Sequence, residues 1–259
     1  MSKNILILIL GILVIVGGLL VYTFVMAPST EKKVLKVGTS ADFPPFEYID
    51  NETGEIVGFD IELIKELAKS IGYDEVEIVN MQFDALIPAL DRGDVDVVIA
   101  GMTITAERQQ IVDFTNPYWE ADQSILVKKN GGYNPQTVSD LNGHTIGVQS
   151  GTTGEWLIDE LISNGTLTNV DVRRYPSFVH AVTDLVNGQI DAVIIDKPAA
   201  QQFTKQYNVE VSAVVKTGEK YGIAVKKGRT ELLNKLNSAL QAFMGSDKWN
   251  SLVNKYFGS

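Results

Sequence analysis

Two stretches of this chain, 95 residues apart, carry the same order of residue types, and that repeat limits the fold more than any other feature. Leu86-Ile87, Leu90, Gly93, Val95, Asp96, Val98 and Ile99 match Ala181-Val182, Leu185, Gly188, Ile190, Asp191, Val193 and Ile194. In each copy an apolar helical stripe stops at a glycine, and an aspartate then opens an apolar run suited to a strand buried on both faces. Any two αβ units share part of this pattern, so the repeat is read with the chain around it.

Upstream of the first copy, Leu35–Thr39 reads as a strand and Pro44-Pro45 as a turn. Phe59–Ile71 carries Ile61, Leu63, Ile64, Leu67 and Ala68 at helical spacing before Gly72 stops it. Val76–Val79 is the next strand, Phe83–Leu90 the next helix, and Val95–Ala100 a buried strand. This βαβαβ order predicts an α/β fold with a largely parallel sheet. The second copy has its own leading strand, Thr145–Gln149, followed by a glycine turn and a helix through Trp156 and Leu161. Two lobes of one architecture follow, at 35–122 with 222–259 and at 124–219. Ser124–Lys128 and Tyr221–Val225 are short strand-like runs placed to cross between them, with hinges expected at Ala121–Ser124 and Lys220–Gly222. The last helical stretch has an apolar stripe through Leu232, Leu233, Leu236, Leu240, Phe243, Trp249, Leu252, Val253 and Tyr256, which is expected to pack on the first lobe.

Residues 1–30 stand apart. Lys3 is the only charged side chain, and an uncharged run extends from Ile5 to Val25. As a helix that run would span about 30 Å, the thickness of a bilayer core. Val25-Met26-Ala27 resembles a signal-peptidase site, but Pro28 beside it disfavours cleavage, so an uncleaved transmembrane anchor is preferred to a signal sequence. Lys3 precedes the run and Lys32, Lys33 and Lys36 follow it, so basic-residue counting does not put the rest of the chain outside.

The 259 residues hold 22 Lys+Arg against 32 Asp+Glu, a net charge of −10, which repels nucleic acid and anionic headgroups. There is no cysteine, which removes disulfides, thiolate metal sites, a cysteine nucleophile and lipid attachment through cysteine. Two histidines, His144 and His180, are too few and too far apart to suggest a metal cluster, and no cofactor is expected.

Ligands of open α/β sheets bind beyond the carboxyl ends of the strands, which here means Ser40 to Phe43, Gly101 to Thr103, Gln149 to Thr153, and Asp196. Arg108 sits just inside a helix that Thr105 can cap; it is either a surface arginine paired with Glu107 or Asp113, or a bidentate clamp for a carboxylate. Ser150-Gly151-Thr152-Thr153-Gly154-Glu155 opens a helix with Thr152 and Glu155 spaced as a capping box; its amides suit an anion, or the helix is merely well capped. Asp196 ends a buried strand, where a carboxylate is costly unless Lys197 or a ligand cation meets it. Phe43 and Phe83 lie at element edges and either wall a ligand or fill the core. Taken together, a carboxylate clamp, an ammonium acceptor and two aromatics suit an α-amino acid.

Six short segments in order then resemble the polar and basic amino-acid-binding proteins of ABC importers, solute-binding protein family 3. They are Gly38–Glu47 (GTSADFPPFE), Gly58–Ile61, Asp84–Leu90, Thr103–Arg108, Gly151–Thr153 and Ile195–Pro198. The resemblance spans Leu35 to the C-terminus and implies the two-lobed type II periplasmic-binding-protein fold with two crossover segments, preceded here by the N-terminal membrane helix or signal sequence. It implies a monomeric, extracytoplasmic receptor that hands an L-amino acid to an ABC permease. It also implies that Arg108 holds the ligand carboxylate with the Thr103 hydroxyl and the Thr153 amide. Asp196 and the Gly101 carbonyl would take the ammonium, Phe43 and Phe83 would sandwich the side chain, and Gln149 and Ser40 would complete the site. Several basic-amino-acid binders carry aspartate where Ser40 stands; Asp42 or Glu47 could replace that charge. Glutamine and arginine are the ligands favoured. Two other functions are compatible with the fold: a prephenate or arogenate dehydratase-like enzyme, and a sensing module for a separate signalling partner. Retention of Asp196 argues against the enzyme.

Overall fold

The structure is a computed structural model, and it describes residues 32–258. The segment 1–30, read above as an anchor or signal, lies outside the described residues. Among the described residues no helix is long and apolar enough to cross a membrane.

The first half runs β1 (Val34–Thr39), a small antiparallel sheet of β2 (Asp42–Phe43), β3 (Glu47–Ile49) and β4 (Ile56–Val57), α1 (Phe59–Ser70), β5 (Glu75–Asn80), α2 (Leu86–Arg92), β6 (Val97–Val98), α3 (Ala106–Gln109) and β7 (Val112–Phe114). The second half runs β8 (Trp119–Lys128), β9 (Thr145–Gln149), α4 (Thr153–Ser163), β10 (Asp171–Tyr175), α5 (Phe178–Val186), β11 (Ala192–Asp196), α6 (Lys197–Gln206) and β12 (Val209–Tyr221). The chain then returns through β13 (Ala224–Lys226) to α7 (Thr230–Met244) and α8 (Asp247–Phe257).

Each lobe is built on one five-stranded sheet, β5-β1-β6-β13-β7 and β10-β9-β11-β8-β12. In both, the first three strands are parallel and the last two pairings antiparallel, so the expected largely parallel sheet holds for three strands of each. The fourth strand of each sheet is the one that has just crossed from the other lobe: β13 on returning, β8 on leaving. The repeated glycines, Gly93 and Gly188, end α2 and α5 in the left-handed region at φ 84° and 73°. The repeated aspartates do one job twice. Asp96 accepts from the Lys36 amide at 3.1 Å and Asp191 from the Thr145 amide at 2.8 Å, each pinning the neighbouring strand, β1 at its third residue and β9 at its first.

Three details differ from the sequence reading. Residues 83–90 begin as a 3₁₀ turn, with α2 proper starting at Leu86, and the strand expected over 95–100 pairs only at Val97–Val98. The change of sheet comes by Trp119, where Trp119 pairs with Tyr221, so Ser124–Lys128 lies inside the second sheet rather than between lobes. β8 begins with Glu120 and Asp122 alternating with Ala121 and Gln123 and then changes to the continuous apolar run Ile125–Val127, which hides its length from a periodicity argument. The C-terminal stripe packs as expected: Leu232, Leu236, Leu240 and Leu252 are buried in the same cluster as Leu63, Ile64 and Leu67 of α1. At the crossover, Phe59 lies 5.3 Å from both Trp119 and Phe257, centroid to centroid, tying α1, β8 and α8 together.

Candidate amino-acid site between the lobes

One cavity with about 310 Å³ of empty space lies where the carboxyl ends of the two sheets face each other. It is lined from the first lobe by Asp42, Phe43, Glu47, Phe83, Ala100, Gly101, Thr103 and Arg108, and from the second by Gln149, Thr152, Thr153, Phe178 and Asp196. Eight of the nine residues expected in the site are therefore on its wall. Ser40 is not; its hydroxyl stands behind the wall and donates to Asp42 Oδ1 at 3.0 Å.

Arg108 is 3% exposed and pairs with neither Glu107 nor Asp113. Thr105 caps α3 by accepting from the Arg108 amide, and the side chain turns inward. One terminal nitrogen donates to the Thr103 carbonyl at 2.7 Å and the other to the Gly151 carbonyl, across the cleft, at 2.9 Å. The guanidinium lies between the rings of Phe83 (5.3 Å) and Trp156 (4.9 Å). Burial lowers its pKa to about 10, so it is charged at neutral pH without a carboxylate bonded to it. A buried cation held only by carbonyls and ring faces has capacity left for an anion.

Asp196 ends β11 at the start of α6, and its Oδ1 accepts from the Tyr221 hydroxyl at 2.6 Å. Lys197 is not its partner. Burial, reinforced by Glu219, raises its pKa to about 7. Glu219 was missed by the sequence reading, because a glutamate in Thr-Gly-Glu-Lys reads as solvent-facing. It is buried, and one oxygen accepts from Thr103 Oγ1 at 2.5 Å and Thr153 Oγ1 at 2.7 Å, one hydroxyl from each lobe. Its other oxygen accepts from the Gln123 amide at 2.9 Å.

The Thr152–Glu155 capping box is half formed. Thr152 Oγ1 accepts from the Glu155 amide, but the Glu155 carboxylate reaches the Gly151 amide at 2.7 Å and not Thr152. That carboxylate already supplies an anion at the start of α4, which leaves Arg108 as the cationic group on the cavity wall. Gly101 has φ 50°, and a β-carbon there would meet Phe43 Cε1 at 2.7 Å, so only glycine lets this carbonyl turn beside the ring. Phe43 stacks on Phe46 at 5.6 Å and on Phe178 at 5.5 Å; Phe178, on the opposite lobe, is a second aromatic wall that nothing in its local sequence marked.

At the far end, Asp42 accepts from the Phe178 amide at 2.7 Å and from the Gln149 amide nitrogen at 2.9 Å, both across the cleft. Glu47 lies deeper, fully buried, and neither of its carboxylate oxygens meets a donor. The wall thus carries one cation, Arg108, together with Asp196, which acts electrostatically on both Arg108 and Glu47, and the carboxylates of Asp42 and Glu47. Among the described residues no group of His, Asp and Glu is arranged to hold a metal ion.

Against known proteins, the family model for bacterial extracellular solute-binding proteins, family 3, matches residues 35–259, and the chain belongs to that family. It is 38% identical over 229 residues to the arginine-binding extracellular protein ArtP of Bacillus subtilis, covering 87% of each chain. An ancestral arginine-binding protein bound to arginine superposes with a TM-score of 0.82 at 43% identity, over 88% of this chain and 99% of that one. The same comparison with an ancestral arginine-binding protein bound to glutamine gives 0.81 at 42% identity, over 88% and 100%. The two-lobed fold with two crossovers is the fold of these proteins.

Asp196 also yields a stability test. Its folded pKa lies above the unfolded value, so the folded protein binds the extra proton and stability falls as pH rises from about 4 to about 7, then levels off. Asp196→Asn, which cannot ionise, is expected to melt higher than wild type at pH 8 without ligand, by about 2–4 °C per kcal/mol relieved. At pH 4 the two should melt alike. Equal melting temperatures at both pH values would refute the buried, unpaired state of this carboxylate.

Proposed function

We propose that this protein is the amino-acid receptor of an ABC-type importer and that it takes an L-amino acid with a cationic side chain, arginine by preference. The observation that carries this reading is the set of charges on one cavity wall: a guanidinium at Arg108 with carboxylates at Asp196, Asp42 and Glu47, beside the aromatic rings of Phe43 and Phe178. An α-carboxylate on Arg108 and an ammonium on Asp196 leave the side chain directed past Phe43 and Phe178. Glu47, buried and without a donor, suits a planar guanidinium, which offers five N–H groups in a fixed fork. The arginine-binding relatives support this choice, and the glutamine-bound ancestral protein makes a neutral amide the second ligand to test.

Arg108 and Thr103 belong to one lobe, Asp196 and Thr153 to the other, so a ligand held by all four favours the closed pair of lobes by its contacts to both. Closure then turns about 115–119 and 221–223. The closed form is what a membrane permease recognises, and residues 1–30 tether the receptor on the outer face or direct its export. Nothing in the cavity supplies an acid-base pair free of these binding duties, which disfavours a dehydratase. A sensing role would use the same closure and differ only in partner.

Thermal-shift measurements on the full chain in detergent, against the twenty amino acids, prephenate and arogenate, test the proposal. At a ligand concentration 100 times Kd, stabilisation reaches about 2.7 kcal/mol. A shift with arginine, smaller ones with lysine or glutamine, and none with prephenate is the expected result. A shift with prephenate or arogenate alone would overturn the receptor reading, as would none at all.

A further inference from the structure

Glu47 on β3, a residue of the cavity wall, and Asp60 in the first turn of α1, behind it, are both 0% exposed and lie within hydrogen-bonding reach of each other. Asp60 Oδ2 is fully used: it accepts from the Gly101 amide at 2.9 Å and the Tyr118 hydroxyl at 2.7 Å. Asp60 Oδ1 and both Glu47 oxygens meet no donor. Two carboxylates cannot bond each other, and three buried oxygens without donors carry a heavy desolvation cost; one proton between the two groups removes one negative charge, joins two of the three oxygens in a hydrogen bond and leaves one for a ligand donor.

The surroundings offer no other remedy. Facing Glu47 are Asp42 from β2, Asp196 from β11 and Asp60 from α1, all of which oppose its ionisation. The Tyr118 hydroxyl is committed to Asp60 and the Tyr221 hydroxyl to Asp196. Arg108, the cation on the same cavity wall, is committed to the Thr103 and Gly151 carbonyls. Burial and these neighbours push Glu47 well above the usual carboxylate range, and burial pushes Asp60 to about 6, so the pair titrates as one unit.

We propose that Glu47 and Asp60 share one proton while the cavity is empty or holds a neutral side chain, and that a cationic side chain expels it. This rests on the amino-acid-receptor reading and names Glu47 as the residue that sets the choice between cationic and neutral ligands. In the exchange, the O–H bond of the acid breaks, its proton passes to buffer, and N–H donors of the guanidinium replace it at the carboxylate. A neutral amide or urea group instead accepts from, or donates to, the protonated pair, and no proton leaves. Asp196 does not blur this difference, since both ligand classes carry the same ammonium and draw on it equally.

Arginine binds the deprotonated pair, so its affinity is constant above the pair's apparent pKa and falls by up to about tenfold per pH unit below it. The preference for arginine over a neutral isostere therefore weakens in acid.

The test is calorimetric titration of the full chain in detergent with arginine and with citrulline, its uncharged isostere, in buffers of different ionisation enthalpy at about pH 6. Arginine is expected to release close to one proton more than citrulline. In Glu47→Gln the excess should vanish, and arginine affinity should fall by tenfold or more relative to citrulline affinity. Glutamine replaces citrulline as the neutral comparator if citrulline does not bind. Equal release by both ligands in the wild type, or an excess that survives in Glu47→Gln, would overturn the shared proton while leaving the receptor reading intact. Failure of any amino acid to bind would overturn both. Should the variant not fold, infrared difference spectra of the wild type decide: loss of a protonated-carboxyl band with arginine but not with the neutral ligand supports the proposal, and no loss overturns it.

Discussion

Arg108→Ala is expected to remove measurable amino-acid binding while leaving the protein folded. The guanidinium is the cation on the cavity wall among the described residues, and its partners are two carbonyls and two ring faces, not a carboxylate. Without it an incoming α-carboxylate would be buried beside Asp196 and Glu219 with no countercharge. Truncating one member of a buried, hydrogen-bonded charge pair costs about 2–5 kcal/mol, a Kd raised between about 30-fold and several thousand-fold. Arg108→Lys should recover only part of this, because an ammonium cannot hold the two carbonyls and a carboxylate from the same planar fork. Calorimetric Kd values for wild type, Arg108→Ala and Arg108→Lys provide the check. Retention of wild-type affinity in the alanine variant would mean that the ligand carboxylate lies elsewhere.

The largest expected effect on stability is at Phe59, which makes no contact with the cavity. Its ring is 0% exposed and sits among Phe46, Tyr118, Trp119, Trp249, Tyr256 and Phe257, at centroid distances from 5.3 to 6.4 Å. These rings come from β3's approach, the outgoing crossover and the last helix, so one side chain joins segments that are distant in sequence. Truncation of a buried phenylalanine to alanine costs about 3–5 kcal/mol. For a domain of this size that lowers Tm by about 6–20 °C, at about 2–4 °C per kcal/mol. Phe59→Leu should cost much less. Loss of under about 1 kcal/mol in Phe59→Ala, measured by urea unfolding, would show that the cluster can collapse onto the gap.

The fold was largely legible because its two halves repeat a local rule: a helix closed by glycine, then an aspartate that pins the neighbouring strand. That rule is written in consecutive residues, Gly93 to Asp96 and Gly188 to Asp191, and needs no long-range knowledge. What escaped was β8, since a strand that is half crossover and half sheet interior has no single periodicity. Of the residues expected in the site, Arg108, Asp196, Phe43, Phe83, Gly101, Thr103, Thr153 and Gln149 line the cavity, and each was legible because it lies at a strand end or helix start. Phe178 also opens a helix but reads as core, and only its stacking on Phe43 from the other lobe makes it a wall; Glu219 is not on the wall and acts by holding the Thr103 and Thr153 hydroxyls. Ser40 was placed one layer too close; it serves by holding Asp42.

Sequence alone determined the architecture and the chemical type of Arg108 and Asp196, the two charged groups proposed to anchor the ligand, since hydrophobic periodicity and residue identity are local properties. Tertiary structure alone decided their state of charge and company. Whether Arg108 is a surface ion pair or a buried unpaired cation, and whether Asp196 meets Lys197 or a tyrosine hydroxyl, depends on which groups burial brings together and which water it removes. The same holds for Glu47 and Asp60, an ordinary glutamate and aspartate in the chain. Only desolvation, with three carboxylate oxygens left without donors in the interior, turns them into a pair that must hold a proton or receive a cation.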